Sequence, residues 1–262
     1  MTPHFQSDDL VKLSKIAIFE AGEIAKKLKK ELSISYKSKN QPVTNADLQI
    51  NEFLRKYFFK ITPEFGWLSE ESIDNKSRYK SEPFWCLDPI DGTRSFINGK
   101  PEYTISLALI EQKKPIFGMI LNPETKEFFF AKKNFGSFCN EKKIYVNKKS
   151  INNIDNIAIS SSESKKLLEY DNFNIKKVVK MGSIAYKIAL VAKGKIDLAI
   201  SFTKKNDWDI AAAELIIKEA GGQIEEIDGR KIVFNSSDLR INSVIASNKT
   251  IIPEIKKKML GK

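Results

Sequence analysis

The sequence predicts an α/β protein built in layers, on three observations. Two amphipathic helical stretches open the chain. A series of apolar, β-rich segments separated by turns follows, and the second half then alternates short strands with helices. Helices that alternate with strands bury their apolar stripes on the faces of a sheet, which makes a layered α/β half.

The 262 residues suffice for one large domain or two closely packed halves. A chain of this size buries roughly three quarters of its unfolded surface, so it needs no disulfide or structural metal to hold a core. Ser7-Asp8-Asp9 caps the first helix, whose apolar residues Leu10, Leu13, Ala17, Ala21, Ile24 and Leu28 recur at spacings of three and four. The lysines over 26–30 read as a solvated face. Residues 33–40 are polar and read as a loop or mobile ribbon. Pro42 to Asp47 lead into a second amphipathic helix, with Thr44 or Asn45 as N-cap and Asp47 complementing the helix dipole.

Residues 66–72 read as a short strand ending in the paired acids Glu70-Glu71. Residues 84–87 read as a buried strand, and Pro89 forbids ladder pairing at its own nitrogen. Segments 102–110, 115–121 and 127–131 form an antiparallel meander, and 136–140 is a further strand or turn. The lysine- and asparagine-rich stretch 140–156 is the candidate boundary between halves. Beyond it come a strand near Ile157, a lysine-rich region, a helix over 183–193 and a strand over 196–202. A helix over 208–220 is stopped by Gly221-Gly222. Short strands near Gln223 and Val244 and a helix from Ile251 complete the pattern.

Composition narrows the chemistry. The only histidine is His4, so serine-histidine, cysteine-histidine and histidine-rich zinc sites are not expected. Cys86 and Cys139 fit no paired pattern and are expected reduced, in a cytoplasm. The net charge of +11 is carried almost wholly by lysine, with arginine only at Arg55, Arg78, Arg94, Arg230 and Arg240. Nucleic-acid readers lean on arginine for bidentate base contacts, so a nucleic-acid partner is not expected and a small polyanionic substrate fits the charge. A non-catalytic polyanion-binding protein remains the rival class on net charge alone. No apolar run approaches the ~20 residues of a membrane span, and residues 1–6 lack a signal peptide's basic start and apolar centre. Peripheral association with an inner membrane stays open, as does a homodimer.

The chemistry concentrates in Asp88-Pro89-Ile90-Asp91-Gly92-Thr93. A strand that presents two carboxylates at its tip offers hard oxygen ligands of the kind Mg²⁺ takes beside a substrate phosphate. Gly92-Thr93 can open a helix whose free N–H groups face an anion. Read alone, the segment is also an ordinary turn, since Asp, Pro and Gly dominate turns. Glu70-Glu71 lies at another strand end, where the two tips can converge. Asp209, in Asp207-Trp208-Asp209-Ile210-Ala211-Ala212-Ala213, heads a helix whose alanines permit a close approach. Asp47 and Asp209 also admit the plainer reading of first-turn helix acids.

These acidic elements, in this order, resemble the inositol monophosphatase superfamily of metal-dependent, lithium-sensitive phosphatases. The resemblance runs from about Ile16 to Ile245, and Val43-Thr44-x-x-Asp47 and Glu219-Ala220-Gly221-Gly222 add to it. Leu68-Ser69-Glu70-Glu71, Arg94-Ser95-Phe96-Ile97 and Pro101-Glu102-Tyr103-Thr104-Ile105-Ser106-Leu107-Ala108 look most like the 3′(2′),5′-bisphosphate nucleotidases of the CysQ type. Pro101 departs from the glycine usual there.

The resemblance implies a layered α/β (α+β) sandwich of alternating helix and sheet layers. Its N-terminal half, 1–145, would carry most metal ligands, and its C-terminal half, 146–262, would supply Asp209 and the substrate-pocket wall. Two or three Mg²⁺ ions are implied. Glu70, Asp88 and the Ile90 carbonyl would bind the first, and Asp88, Asp91 and Asp209 the second. Glu70, with Thr93 held by Asp47, would activate the attacking water. Gly92, Thr93 and Arg94 would meet the phosphate, with Asp209 also touching substrate. The implied reaction removes the 3′-phosphate of 3′-phosphoadenosine 5′-phosphate, relieving product inhibition in sulfate assimilation. The implied alternative is an inositol or related sugar monophosphatase.

Overall fold

In the computed structural model, residues 8–80, 83–167, 169 and 177–260 are described; the Ser7 cap, His4 and part of the lysine-rich region lie outside them. The chain starts with α1 (Asp8–Leu28), the hairpin β1 (Ile34–Ser38) and β2 (Gln41–Thr44), and α2 (Asn45–Ile61). Next come β3 (Gly66–Ser69), a single 3₁₀ turn at Ser77–Tyr79, β4 (Phe84–Asp91) and the short α3 (Thr93–Ile97). A meander follows: β5 (Thr104–Glu111), β6 (Lys114–Asn122), β7 (Glu127–Lys132), β8 (Gly136–Cys139) and β9 (Lys142–Lys143). The remainder holds β10 (Asn156–Ile159), α4 (Ser164–Leu167), β11 (Lys177–Lys180), α5 (Ile184–Ala192), β12 (Leu198–Ser201) and β13 (Lys205–Asn206). It ends with α6 (Asp207–Glu219), β14 (Gly222–Glu225), β15 (Arg240–Ile241), β16 (Val244–Asn248) and α7 (Ile251–Leu260).

Two sheets carry the fold. The first holds β3 to β9 in sequence order, with β3 and β4 parallel and all later pairs antiparallel. The second runs β11-β10-β12-β16-β14, mixed in direction. Period-two alternation sorts the side chains into layers. From β4, Trp85 and Leu87 join α1 and α2 in one core, while Phe84 and Cys86 join α5 and α6 in another. From β10, Ala158 faces α5 and α6, and Ile157 and Ile159 face α7. The order is therefore helix, sheet, helix, sheet, helix: the layered sandwich the sequence predicts. Burial on both faces also explains why β4 reads as a continuous apolar run rather than an alternating one.

The three alanines of α6 serve as the sequence suggests. A Cβ on Gly118 of β6 would lie 2.9 Å from the Ala212 carbonyl oxygen, so small residues on both sides let the helix lie directly against the strand. At its far end Gly221, at φ +85°, takes the left-handed turn that ends α6. Two local expectations are refined. Residues 33–40 lie in an antiparallel ribbon formed with β2. Thr44 rather than Asn45 is the cap of α2, and the Asn45 side chain instead ties the ribbon base to Glu31 and Ser33.

Candidate active site

The tip of β4 differs from the simplest sequence expectation. Pairing does not stop at Pro89: the β4–β5 ladder joins Asp88 to Ser106, slips over Pro89 and Ile90, and resumes between Asp91 and Thr104. A bulge tolerates the missing proline donor. Asp88 and Asp91 are 1% and 6% exposed, and the Ile90 N–H donates to Asp88 Oδ1 at 3.1 Å. Asp209 is the third residue of α6, where its Oδ2 accepts the Asn206 N–H at 2.5 Å. Carboxylate oxygens of Asp88, Asp91 and Asp209 lie within 4.8 Å of one another. Residues far apart in sequence thus converge because α6 rests on the sheet that β4 belongs to.

Glu70 extends β3 beside β4, its N–H donating to the Leu87 carbonyl at 3.2 Å. Its carboxylate stands outside the three-aspartate group and is held by Lys37 Nζ at 2.9 Å; the same ammonium lies 2.6 Å from Glu71. Asp47 forms a reciprocal capping box with Thr44, accepting its N–H at 2.8 Å and its hydroxyl at 2.5 Å. Thr93 Oγ1 lies 3.0 Å from the Ile90 carbonyl and 3.4 Å from Asp47 Oδ1, so its one proton serves either acceptor. Thr93 and Arg94 head α3, where backbone N–H groups lack helical partners. Gly92, at φ +94°, allows the sharp turn, and a Cβ there would also lie 2.9 Å from Ser183 N. The Arg94 guanidinium points away to the Asn40 carbonyl at 2.7 Å, latching the hairpin turn to α3.

The electrostatics describe a site crowded with negative charge. Burial, reinforced by Glu70, Asp91, Asp209 and Asp47, pushes Asp88 well above the usual carboxylate range. Burial also raises Asp91, against the opposing bonds from Ser183 and Ala185. Asp209 is pushed to about 7 by burial and then by Asp91 and Glu70, Glu71 to about 7 by burial, and Asp47 to about 6 by burial. Burial works against the Lys37 charge, but Glu70 and Glu71 outweigh it and raise its pKa. A converging set of hard oxygens whose ionisation is suppressed first by burial and then, at Asp88 and Asp209, by neighbouring carboxylates fits a divalent cation, whose charge would offset both.

Four groups around the candidate site were not assigned to it from sequence. Ser183, cap of α5, donates its hydroxyl to Asp91 Oδ2 at 2.5 Å, and the Ala185 N–H donates to the same oxygen at 2.7 Å. Lys187, buried on α5, feels the Asp91 charge, yet burial lowers its pKa to about 8. Ser183 carries a helix-cap signal in the sequence, but nothing local announces that the cap holds Asp91. Lys37, in a polar ribbon of a lysine-rich chain, carries no signal at all.

Comparison with known proteins identifies the family. The model of the inositol monophosphatase family matches residues 7–260. The 3′(2′),5′-bisphosphate nucleotidase CysQ of Haemophilus influenzae is 30% identical over 224 residues, spanning 81% of this chain and 82% of that protein. An inositol monophosphatase of Dictyostelium discoideum is 31% identical over 242 residues, spanning 87% and 86%. Among solved structures, the extragenic suppressor protein suhB of Bartonella henselae superposes with a TM-score of 0.85 at 27% identity, covering 96% of this chain and 98% of that one. The chain belongs to the inositol monophosphatase family, and is a phosphatase of that metal-dependent family.

Proposed function

We propose that the protein is a Mg²⁺-dependent phosphomonoesterase that hydrolyses the 3′-phosphate of 3′-phosphoadenosine 5′-phosphate, releasing AMP and phosphate. The observation that carries the reaction class is the meeting of Asp88, Asp91 and Asp209 within 4.8 Å, next to the opening turn of α3. Glu70, Asp88, Asp91, Asp209 and the Ile90 carbonyl would hold two or three Mg²⁺ ions. Bound Mg²⁺ supplies charge neutralisation at the phosphoryl group and lowers the pKa of water.

The chain's own residues do the rest. The N–H groups of Gly92, Thr93 and Arg94 receive phosphoryl oxygens. The Thr93 hydroxyl, donating to Asp47, keeps a lone pair free to accept a hydrogen bond from the attacking water and fix its direction. Glu70 Oε takes the proton that the water gives up. The capping box holds Asp47 rigid, and Ser183 with the Ala185 N–H does the same for Asp91. Phosphate-ester hydrolysis is mostly positioning and charge neutralisation, so a site built this way suffices without a covalent nucleophile.

The nucleotide substrate is supported by the Leu68–Glu71 and Pro101–Ala108 segments and by the 30% identity with a CysQ nucleotidase. The 31% identity with an inositol monophosphatase favours a second reading, the same chemistry on inositol phosphate or a related sugar phosphate. On either reading 1–145 and 146–262 act as two halves with the site between them. The partner is a small phosphorylated molecule, lithium inhibits, and the compartment is cytoplasmic. No helix of the described residues is long and apolar enough to cross a membrane.

Phosphate release from 3′-phosphoadenosine 5′-phosphate and from inositol 1-phosphate, measured side by side with Mg²⁺, tests the proposal. Preference for the nucleotide, lost in Asp88→Asn, is the expected result. Preference for inositol phosphate, also lost in the variant, would replace the substrate and keep the chemistry. Release that survives Asp88→Asn would remove the metal centre from the account.

A further inference from the structure

Behind the acidic cluster lies a second buried polar group that the reaction does not use. Arg78, in the 3₁₀ turn between β3 and β4, is 0% exposed. Its Nε donates to Asp74 Oδ2 at 3.0 Å, and its Nη1 to Asn235 Oδ1 at 2.5 Å. Asn235 returns a bond from Nδ2 to the Arg78 carbonyl at 3.2 Å, and its backbone N–H donates to Asp207 Oδ2 at 2.7 Å. Asp207, also 0% exposed, is the first residue of α6, and its Oδ1 has no hydrogen-bond partner among the described residues.

Isolating an arginine and an aspartate from water is costly, and well-packed apolar residues often serve stability as well or better. The location suggests what the charges are for. The 3₁₀ turn is pressed onto β3: a Cβ on Gly66 would sit 3.0 Å from Arg78 Cα, and the Trp67 N–H donates to Ser77 Oγ at 3.3 Å. The β3 strand leads directly into Glu70 and Glu71. At the other end of the bridge, Asp207 lies two residues before Asp209 in the same helical turn. The chain Arg78–Asn235–Asp207 thus links the segment that carries Glu70 to the helix that carries Asp209, across 157 residues of sequence between Arg78 and Asn235.

We propose that Arg78, Asn235 and Asp207 are positioning residues for the metal centre, a buried bridge that sets where Asp209 stands relative to Glu70, Asp88 and Asp91. The inference rests on the metal-centre reading above. No member of the bridge hydrogen-bonds a carboxylate of the acidic cluster; the bridge acts one step further back, by holding the start of α6 in register.

The test is Mg²⁺ binding by the full-length metal-free protein in isothermal titration calorimetry, with far-UV circular dichroism as a check of fold. Asn235 has φ +56°, which glycine adopts freely, so Asn235→Gly removes the link to Arg78 without backbone strain. It is expected to weaken Mg²⁺ binding roughly tenfold, the low end of the range for groups that bond metal ligands directly. Activity should return near the wild-type level at saturating Mg²⁺, because no group that touches substrate has changed. Asn235→Asp restores an acceptor to Arg78 but sets an oxygen against the Arg78 carbonyl in place of the donor, so it should recover part of the affinity.

Asp207→Asn keeps the acceptor oxygen for the Asn235 N–H and removes the charge. It should weaken binding to a smaller degree, and it decides the question if Asn235→Gly does not fold. Wild-type affinity in both Asn235→Gly and Asp207→Asn overturns the bridge, whatever happens to melting temperature. If Asp88→Asn abolishes binding while these variants retain it, the bridge alone falls. A wild-type protein that takes up no Mg²⁺ at millimolar concentration overturns the metal reading and the bridge together.

Discussion

Two helices of this protein begin in the same way and end up with different tasks. The start of α2 reads Thr44-Asn45-Ala46-Asp47, and the start of α6 reads Asn206-Asp207-Trp208-Asp209. In each, the aspartate is the third helical residue and takes the backbone N–H of the cap. At α2 the Thr44 hydroxyl takes the same oxygen as the cap N–H, and Thr93 reaches the other, so Asp47 is occupied on both sides and orients a hydroxyl. At α6 the carboxylate joins the Asp88 and Asp91 oxygens instead. The cap explains why an acid stands at each position. What the acid does depends on which strand the helix is laid against.

The largest expected effect separates the two. Asp209→Asn keeps an acceptor oxygen for the cap but loses one carboxylate charge of the proposed metal site, and is expected to lower phosphatase activity by about 10³-fold, as several kcal/mol of charge stabilisation requires. Asp47→Asn should lose about 10²-fold, the scale of one positioned proton-transfer group, with Mg²⁺ affinity unchanged. Equal losses of Mg²⁺ affinity in the two, read by calorimetry, would erase the distinction.

Gly118→Ala probes α6 alone. Its new methyl would press on the Ala212 carbonyl at 2.9 Å, and overpacking of this kind costs about 1–3 kcal/mol in urea unfolding. A loss of Mg²⁺ affinity without change at the Asp47–Thr93 pair would show that α6 seating governs Asp209 only.

Acidity offers a smaller, graded contrast. Asp47 titrates at about 6 and Asp209 at about 7, both above an ordinary carboxylate, so the metal-free fold binds protons more tightly than the unfolded chain. That contribution is fully present below about pH 4 and is lost as pH rises through about 6 to 7. Melting temperature of the metal-free protein should therefore fall between about pH 5 and pH 8, and saturating Mg²⁺ should flatten the fall. Asp47→Asn should shrink the lower part of the transition and Asp209→Asn the upper part, to which Glu71 and Asp207 also contribute; a flat metal-free profile in the wild type would refute the raised acidities. Smallest of all, Thr44→Ala removes a cap hydroxyl and should cost about 1 kcal/mol in urea unfolding.

Much of the candidate site was legible in the sequence. Asp88, Asp91 and Asp209 each admit a local reading as turn or helix-start acids; it is their order along the chain, after Glu70-Glu71, that resembles the family and singles them out. Asp47 was legible by its place in a helix start. Lys37, the Ser183 bond to Asp91 and the Arg78–Asn235–Asp207 bridge were not. Each joins residues 28 to 157 positions apart, and no local periodicity carries such pairing. The course of β4 past Pro89 was also hidden, since the proline forbids one hydrogen bond but a bulge avoids needing it.

By itself, then, the sequence determined the elements and their buried faces, because periodicity two and periodicity near 3.6 are written in the order of apolar residues. It also determined which acids stand at strand tips and helix starts, because caps and turns are local. Only the tertiary structure decided which of those acids meet. Burial of both sheets against α5 and α6 brings the start of α6 to the tip of β4, and there three carboxylates that are helix-start and strand-end acids in every local respect come within 4.8 Å of one another, largely out of water, an arrangement that a cation would neutralise.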